Sequence, residues 1–241
     1  MKIDSFGQTD VGRKRDKNED SLVVDQDMGF FMVADGMGGH QGGEIASRIA
    51  VETVLATLKK MDRAVEGGNG LKKAIRLASQ KIFEKANQDP YLQGMGTTAV
   101  VLWICQDKGL IAHVGDSRAY LVRGGKVTQL TMDHSLVAEQ LKAGFIAEAD
   151  IKKHKFKNII TRSVGFQGDV EVDLLIRELE VGDRFLLCSD GLTNLVDPQD
   201  IAKIVSKNNP KNACQKLIDL ANKRGGDDNV TAVVVSVLDA G

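Results

Sequence analysis

The chain has 241 residues, 42% of them hydrophobic, with 32 Lys and Arg against 33 Asp and Glu. That composition excludes a disordered chain and is enough for a large core. The balanced charge, formally −1, gives no reason to expect nucleic acid or an anionic membrane as partner.

Met1 to Phe6 has no apolar signal-peptide core, and no apolar run approaches the ~18 residues that span a bilayer. Cys105, Cys188 and Cys214 lie far apart in apolar settings, as buried thiols of a reducing compartment do, so a cytoplasmic location is expected. Residues 3–9 read as a first strand. Ser21 to Asp25 and Gly29 to Ala34 read as a hairpin around Gln26-Asp27-Met28. Glu44 to Lys60 has helical spacing, Glu66 to Gly70 reads as a glycine-rich loop, and Leu71 to Asn87 is a second helix with a solvated basic face. Pro90 to Gly96 breaks it. Strands follow at Thr97 to Cys105, Leu110 to Val114, Ala119 to Arg123 and Val127 to Leu130, with Gly124-Gly125 as a hairpin turn. Ser135 to Ala143 is helical. Gly144 to Ile160 is polar, Lys-rich and weakly patterned, which suggests a mobile flap. Val172 to Glu178 and Arg184 to Cys188 are strands, and two late helices start near Pro198 and Pro210. Val230 to Leu238 is the last strand. Strands joined by short turns imply antiparallel sheets, helix pairs should cover their faces, and one α+β domain accounts for residues 1–241.

The chemistry concentrates where apolar runs end in acid. Phe30 to Ala34 runs into Asp35-Gly36, and Phe185 to Ser189 runs into Asp190-Gly191. Gly36 lets its carbonyl be approached closely and permits unusual φ values. One strand ending in Asp-Gly is an ordinary turn. Here Asp227-Asp228-Asn229 and Arg15 to Asp20 add two further acidic segments, and four converging sites point to a cation. Oxygen ligands alone suit Mg²⁺ or Mn²⁺. His40, His113, His134 and His154 lack the spacing of a zinc motif. Gly36 to Gly43 is glycine-rich, but no Gly-Lys-Ser/Thr follows it and its spacing is not that of a dinucleotide loop. No cysteine has an arginine six residues on, as a cysteine phosphatase would. Asp25-Gln26-Asp27 fits a hairpin turn better than an aspartyl-phosphate site.

Six segments together resemble the metal-dependent serine/threonine protein phosphatases (type 2C, PPM) in their compact bacterial form. They are Arg15 to Asp20, Val33 to Gly39, Gly94 to Thr98, Val114 to Arg118, Cys188 to Leu192 and Gly226 to Thr231, in the family's order and across nearly the whole chain. The resemblance implies a four-layer sandwich of two antiparallel β-sheets flanked by helices on both sides. It implies two ions of Mn²⁺ or Mg²⁺, with a third held more weakly. Asp35 would bridge two metals, Gly36 would lend its carbonyl, and Asp190 and Asp228 would complete the first site. Glu19 would reach the second through water. Asp116, with Asp190, would hold the third, although in its own turn it could equally cap a strand or pair with Arg118. Arg15 would bind the substrate phosphate, and Asp20 and Asn229 would orient ligands or waters.

The family's activity is attack of a metal-bridged hydroxide on phosphoserine and phosphothreonine of proteins. Eukaryotic relatives carry a histidine after the first Asp-Gly. Met37 stands there and cannot transfer a proton, which leaves His40 as a candidate acid or a mere helix cap. The implied partners are phosphorylated proteins, including a bacterial serine/threonine kinase and its substrates, and a monomer is expected. Two other readings stay open at this stage: a phosphatase of small phosphorylated metabolites, and a non-catalytic metal-binding regulatory module.

Overall fold

The computed structural model describes residues 2–38, 42–147, 150 and 154–239. Eleven strands form two antiparallel sheets. The first has β1 (Lys2–Asp10), β11 (Val230–Asp239), β10 (Arg184–Cys188), β7 (Arg118–Arg123) and β8 (Lys126–Gln129) in that order. The second has β2 (Asp20–Asp25), β3 (Phe30–Met37), β5 (Ala99–Cys105), β6 (Lys108–Val114) and β9 (Asp173–Glu178), with the short β4 (Gly96–Thr97) paired to β3. Helices α1 (Gly42–Leu58) and α2 (Arg63–Gln88) cover the second sheet. Helices α5 (Pro198–Lys207) and α6 (Pro210–Lys223) cover the first. Two shorter helices, α3 (Leu136–Lys142) and α4 (Asp190–Thr193), lie between strands in the chain.

Three apolar layers separate these four. The period-2 geometry of a strand sends alternate side chains to opposite faces. In β3, Phe30, Met32 and Ala34 face α1 and α2, while Phe31 and Val33 enter the layer between the sheets. In β11, Val230, Ala232 and Val234 face α5 and α6, while Val233, Val235 and Val237 enter the middle layer. Both faces of the central strands are therefore buried. That is why they read as unbroken apolar runs, where a half-solvated antiparallel strand would alternate. Trp103 on β5 is fully buried. Cys188 and Cys214 are buried too, and burial pushes each thiol up to about 12.

The expected hairpin turn is present: Arg123 pairs with Lys126, and Gly124 and Gly125 take φ of 57° and 79°. That left-handed pair matches the twist of the flanking strands.

The expected loop at Glu66 to Gly70 is a correction. These residues lie inside α2, which is interrupted only at Gly67 (φ 41°, ψ −124°). The glycines serve packing: a Cβ on Gly68 would lie 2.4 Å from Leu174, and one on Gly70 would lie 2.9 Å from Met61. The expected flap falls partly on residues 148–149 and 151–153, outside the described ones. Its far end is tied down, because Ser135 bridges Ile160 and the Leu136 amide donates to the Ile159 carbonyl at 2.9 Å. Among the described residues no helix is long and apolar enough to cross a membrane.

Candidate metal centre

Antiparallel pairing puts the end of one strand beside the start of its neighbour. β3 ends at Asp35 to Met37 and β2 begins at Asp20, and Asp20 pairs directly with Asp35. β10 leads into Ser189-Asp190 and β11 begins after Asp228-Asn229, with Cys188 paired to Ala232. Both sheets thus deliver carboxylates to one edge of the sandwich. There the sheets are bolted together: Oδ2 of Asp20 accepts from the Ser189 hydroxyl at 2.8 Å and from the Thr231 hydroxyl at 2.5 Å.

Each acid is held by its backbone. The Asp35 N–H donates to Oγ1 of Thr98 (2.9 Å), and its carbonyl accepts from the Thr98 N–H (2.8 Å) and the Thr97 hydroxyl (2.9 Å). Gly36 is glycine because of close approach. A Cβ there would lie 2.1 Å from the Gly43 carbonyl oxygen and 2.5 Å from that of Glu19. Its φ is not left-handed; Gly38, two residues on, carries the positive φ of 148°. Asp190 opens α4 and accepts from Asn194 at 3.0 Å. Asn229 staples the arginine-bearing loop: its Oδ1 accepts from the Glu19 N–H (2.8 Å), and its Nδ2 donates to the carbonyls of Val11 (3.0 Å) and Lys17 (2.9 Å). Arg15, exposed at the rim, donates to Oδ2 of Asp228 at 2.8 Å.

The electrostatics are one-sided. Burial, then repulsion from Asp20, Asp190, Asp116 and Asp228, holds Asp35 well above the usual carboxylate range. Burial and Asp228 raise Asp190, which shares a hydrogen bond with Asp35. Asp116 is pushed to about 7 by burial and Asp190. Asp20 reaches about 7 through burial, despite its two hydroxyl donors. Burial also raises Glu19, although Arg15 works against it. For Arg15 itself burial opposes the charge, but Asp228 beside it keeps the guanidinium above its ordinary value.

The residues fit divalent cations. Like charges crowded in a dry site are stabilised by a cation, and Oδ1 of Asp20 is buried without a partner. The donors are oxygens only, which selects hard ions. A tighter trio, His113, His134 and Asp173, has its ligand atoms within 4.8 Å of one another. It is a poor metal site. Nδ1 of His134 accepts the Gly115 N–H at 3.1 Å, Nη1 of Arg162 stands 3.1 Å from its Nε2, and the same nitrogen donates to Asp173 at 2.8 Å. The wider spread of the acidic cluster suits more than one ion with water among the ligands.

Asp116 does not pair with Arg118. That guanidinium grips Asp133 through Nε (2.9 Å) and Nη2 (2.6 Å), leaving the buried Asp116 to face Asp190. A cavity of about 700 Å³ opens beside Asp116 and Asp190, bounded further out by Met132, Leu141, Lys142 and Lys157. His40 lies outside the described residues. The structure therefore gathers Asp20, Asp35, Asp116, Asp190 and Asp228 at one edge, with Glu19 and Arg15 at the rim.

The same fold occurs in known proteins. Residues 11–220 match the family model for protein phosphatase 2C. The chain belongs to the protein phosphatase 2C family. It is 40% identical over 235 residues to the serine/threonine phosphatase stp of Listeria monocytogenes, covering 95% of this chain and 93% of that one. It is 40% identical to the protein phosphatase PhpP of Streptococcus pneumoniae, covering 95% of each. The crystal structure of the Mycobacterium tuberculosis phosphatase PstP superposes with a TM-score of 0.93 at 34% identity, over 98% of this chain and 99% of that one. A PstP catalytic domain in complex with two manganese ions gives 0.90, also at 34%, over 98% and 99%.

Within this 2C-type fold, sequence reasoning missed the hydroxyls that carry the site: Thr97 and Thr98 behind Asp35, and Ser189 and Thr231 behind Asp20. The signal was visible in Gly94 to Thr98 and in Thr231 as matching segments. A hydroxyl's partner, however, is set by strand register, which the sequence does not display.

Proposed function

We propose that this edge is the catalytic centre of a metal-dependent serine/threonine protein phosphatase, with residues 1–241 acting as one domain. The enzyme removes phosphate from phosphoserine and phosphothreonine in proteins, using Mn²⁺ or Mg²⁺. The supporting observation is the set of carboxylates raised above their ordinary range by burial and then by one another, with Arg15 on Asp228 as the only basic contact on a cluster carboxylate among the described residues.

Asp35, the Gly36 carbonyl, Asp190 and Asp228 would hold the first ion, with Asp35 and Glu19 serving a second. Asp116 with Asp190 holds a third. Bound there, the ions supply an activated water for in-line attack on phosphorus and offset charge on the phosphoryl oxygens. Arg15 takes the substrate phosphate in this reading. A cation on Asp228 would compete for the carboxylate that Arg15 now holds, and the freed guanidinium fork matches two phosphate oxygens. Asn229 keeps the Arg15 loop at the rim, and Asp20 fixes the spacing of the two sheets behind the ions. The protein works as a cytoplasmic monomer, opposite a serine/threonine kinase.

The test is hydrolysis of a chromogenic phosphate ester and a phosphoserine peptide with Mn²⁺, Mg²⁺ or chelator. Activity should need the metal and disappear in Asp35→Asn with the fold intact. A folded Asp35→Asn enzyme turning over at the wild-type rate would remove this assignment.

A further inference from the structure

Gly115 immediately precedes Asp116 in its turn. Its φ of 99° is left-handed, and a Cβ there would lie 2.6 Å from Thr98, the residue that fixes Asp35. The turn is closed on its other side by His134. The Gly115 N–H donates to Nδ1 of His134 at 3.1 Å, and the His134 N–H donates to the Gly115 carbonyl at 3.0 Å. One residue thus holds both polar groups of Gly115.

The imidazole is itself held in the form this requires. A backbone N–H can only donate, so Nδ1 is unprotonated and Nε2 carries the hydrogen. Nε2 lies 3.1 Å from Nη1 of Arg162 and 3.4 Å from Oδ2 of Asp173, and the same Arg162 nitrogen donates to Oδ1 of Asp173 at 2.8 Å. His113 stacks on the ring at a centroid distance of 4.7 Å, with its own Nε2 2.8 Å from the Met132 carbonyl. The His134 carbonyl accepts from the Thr161 N–H at 2.9 Å. Burial, then His113 and Arg162, keep His134 below its ordinary pKa, which favours the neutral ring.

We propose that His134 is a positioning residue of the hydrolytic reaction: through Gly115 it fixes the turn that presents Asp116 to the other carboxylates. This rests on the reading of Asp116 as a site residue. His134 touches no reacting atom in this scheme.

The experiment is a double-mutant cycle on the full chain with Mn²⁺, using a phosphoserine peptide. His134→Ala should lower kcat about tenfold, the usual scale for losing one buried hydrogen bond, with KM little changed. His134→Asn, whose side-chain oxygen can reach the Gly115 N–H, should recover most of that loss. In an Asp116→Ala background, His134→Ala should cost nothing more. In the metal-free protein, the Gly115 amide should exchange with solvent faster in His134→Ala and return toward wild type in His134→Asn.

The proposal is overturned by a full additional loss in the Asp116→Ala background, because a general structural role would act there too. It is overturned equally if Asn does no better than Ala, or if folded His134→Ala keeps wild-type kinetics. If Asp116→Ala alone is neutral, the Asp116 assignment fails and this inference falls with it, while the Asp35 test stands apart. Should His134→Ala not fold, the Asn variant and its Gly115 exchange rate decide the matter.

Discussion

The crowded carboxylates should make the metal-free protein weaker as pH rises. Asp20 titrates near 3.8 when unfolded and at about 7 in the fold. Between those values the folded state keeps a proton that the unfolded state has released, so stability is full below the lower value and is lost as pH climbs to the upper. Each pH unit between the two values costs up to about 1.4 kcal/mol per such group and less near the upper one, so the step from pH 5 to pH 7 costs about 2 kcal/mol for Asp20 alone. Asp116, also raised to about 7, pulls the same way, but the carboxylates interact and the two losses do not simply add. At this chain length, about 2 kcal/mol is a fall in Tm of roughly 4–8 °C. His113 and His134 are held below their ordinary value and so act in the opposite sense, costing stability as pH falls. Asp20→Asn separates these contributions, because its amide oxygen can still accept from Ser189 and Thr231 while its charge is gone. The assay is urea unfolding in chelator at pH 5, 6, 7 and 8, for wild type and variant, repeated with saturating Mn²⁺. Wild type should weaken with pH, the variant should weaken by clearly less, and Mn²⁺ should restore wild type at pH 8. Equal stability of chelated wild type at pH 5 and pH 8, or an unchanged slope in Asp20→Asn, would refute the reasoning.

Arg15→Ala should raise KM for phosphopeptides more than it lowers kcat, since it removes a contact to the phosphate in both ground and transition states; unchanged kinetics would take Arg15 out of the site. Asp116→Ala should reduce hydrolysis of a phosphoserine peptide by at least about tenfold more than that of a nitrophenyl ester, because a serine alkoxide needs a proton on leaving and a nitrophenolate hardly does. With His40→Ala run alongside, an effect confined to that variant would make the histidine the acid. Replacing residues 144–160 should change preference among phosphopeptides while leaving the small ester alone, and an equal loss on both would give that segment a structural role.

The fold was legible because its central strands are buried on both faces. Phe30 to Ala34, Ala99 to Ile104, Phe185 to Cys188 and Val230 to Val237 read as strands from apolar content and β-branching alone, and their short turns imply antiparallel pairing. The misread stretch, Glu66 to Gly70, shows the limit of local propensity. Three glycines in five residues signal a loop, yet the stretch stays within α2, with the side chains of Leu174 and Met61 close against Gly68 and Gly70, contacts that tertiary packing sets. Gly36 belongs to the same class. Its backbone is ordinary, and what excludes a side chain is the carbonyl of Gly43, seven residues on, together with that of Glu19 from another strand edge.

The carboxylates could be picked out because each borders an apolar run. What the sequence hides is which of them are left without a local partner. Arg118 lies two residues from Asp116 in the chain and fifteen from Asp133. The β7 backbone turns Arg118 toward Asp133, so Asp133 becomes half of an ion pair while Asp116 stays unpaired beside Asp190. Asp133 thus stiffens the scaffold, whereas the buried Asp35, Asp116 and Asp190 have no salt-bridge cation among the described residues, and Asp228 at the rim meets only the exposed Arg15.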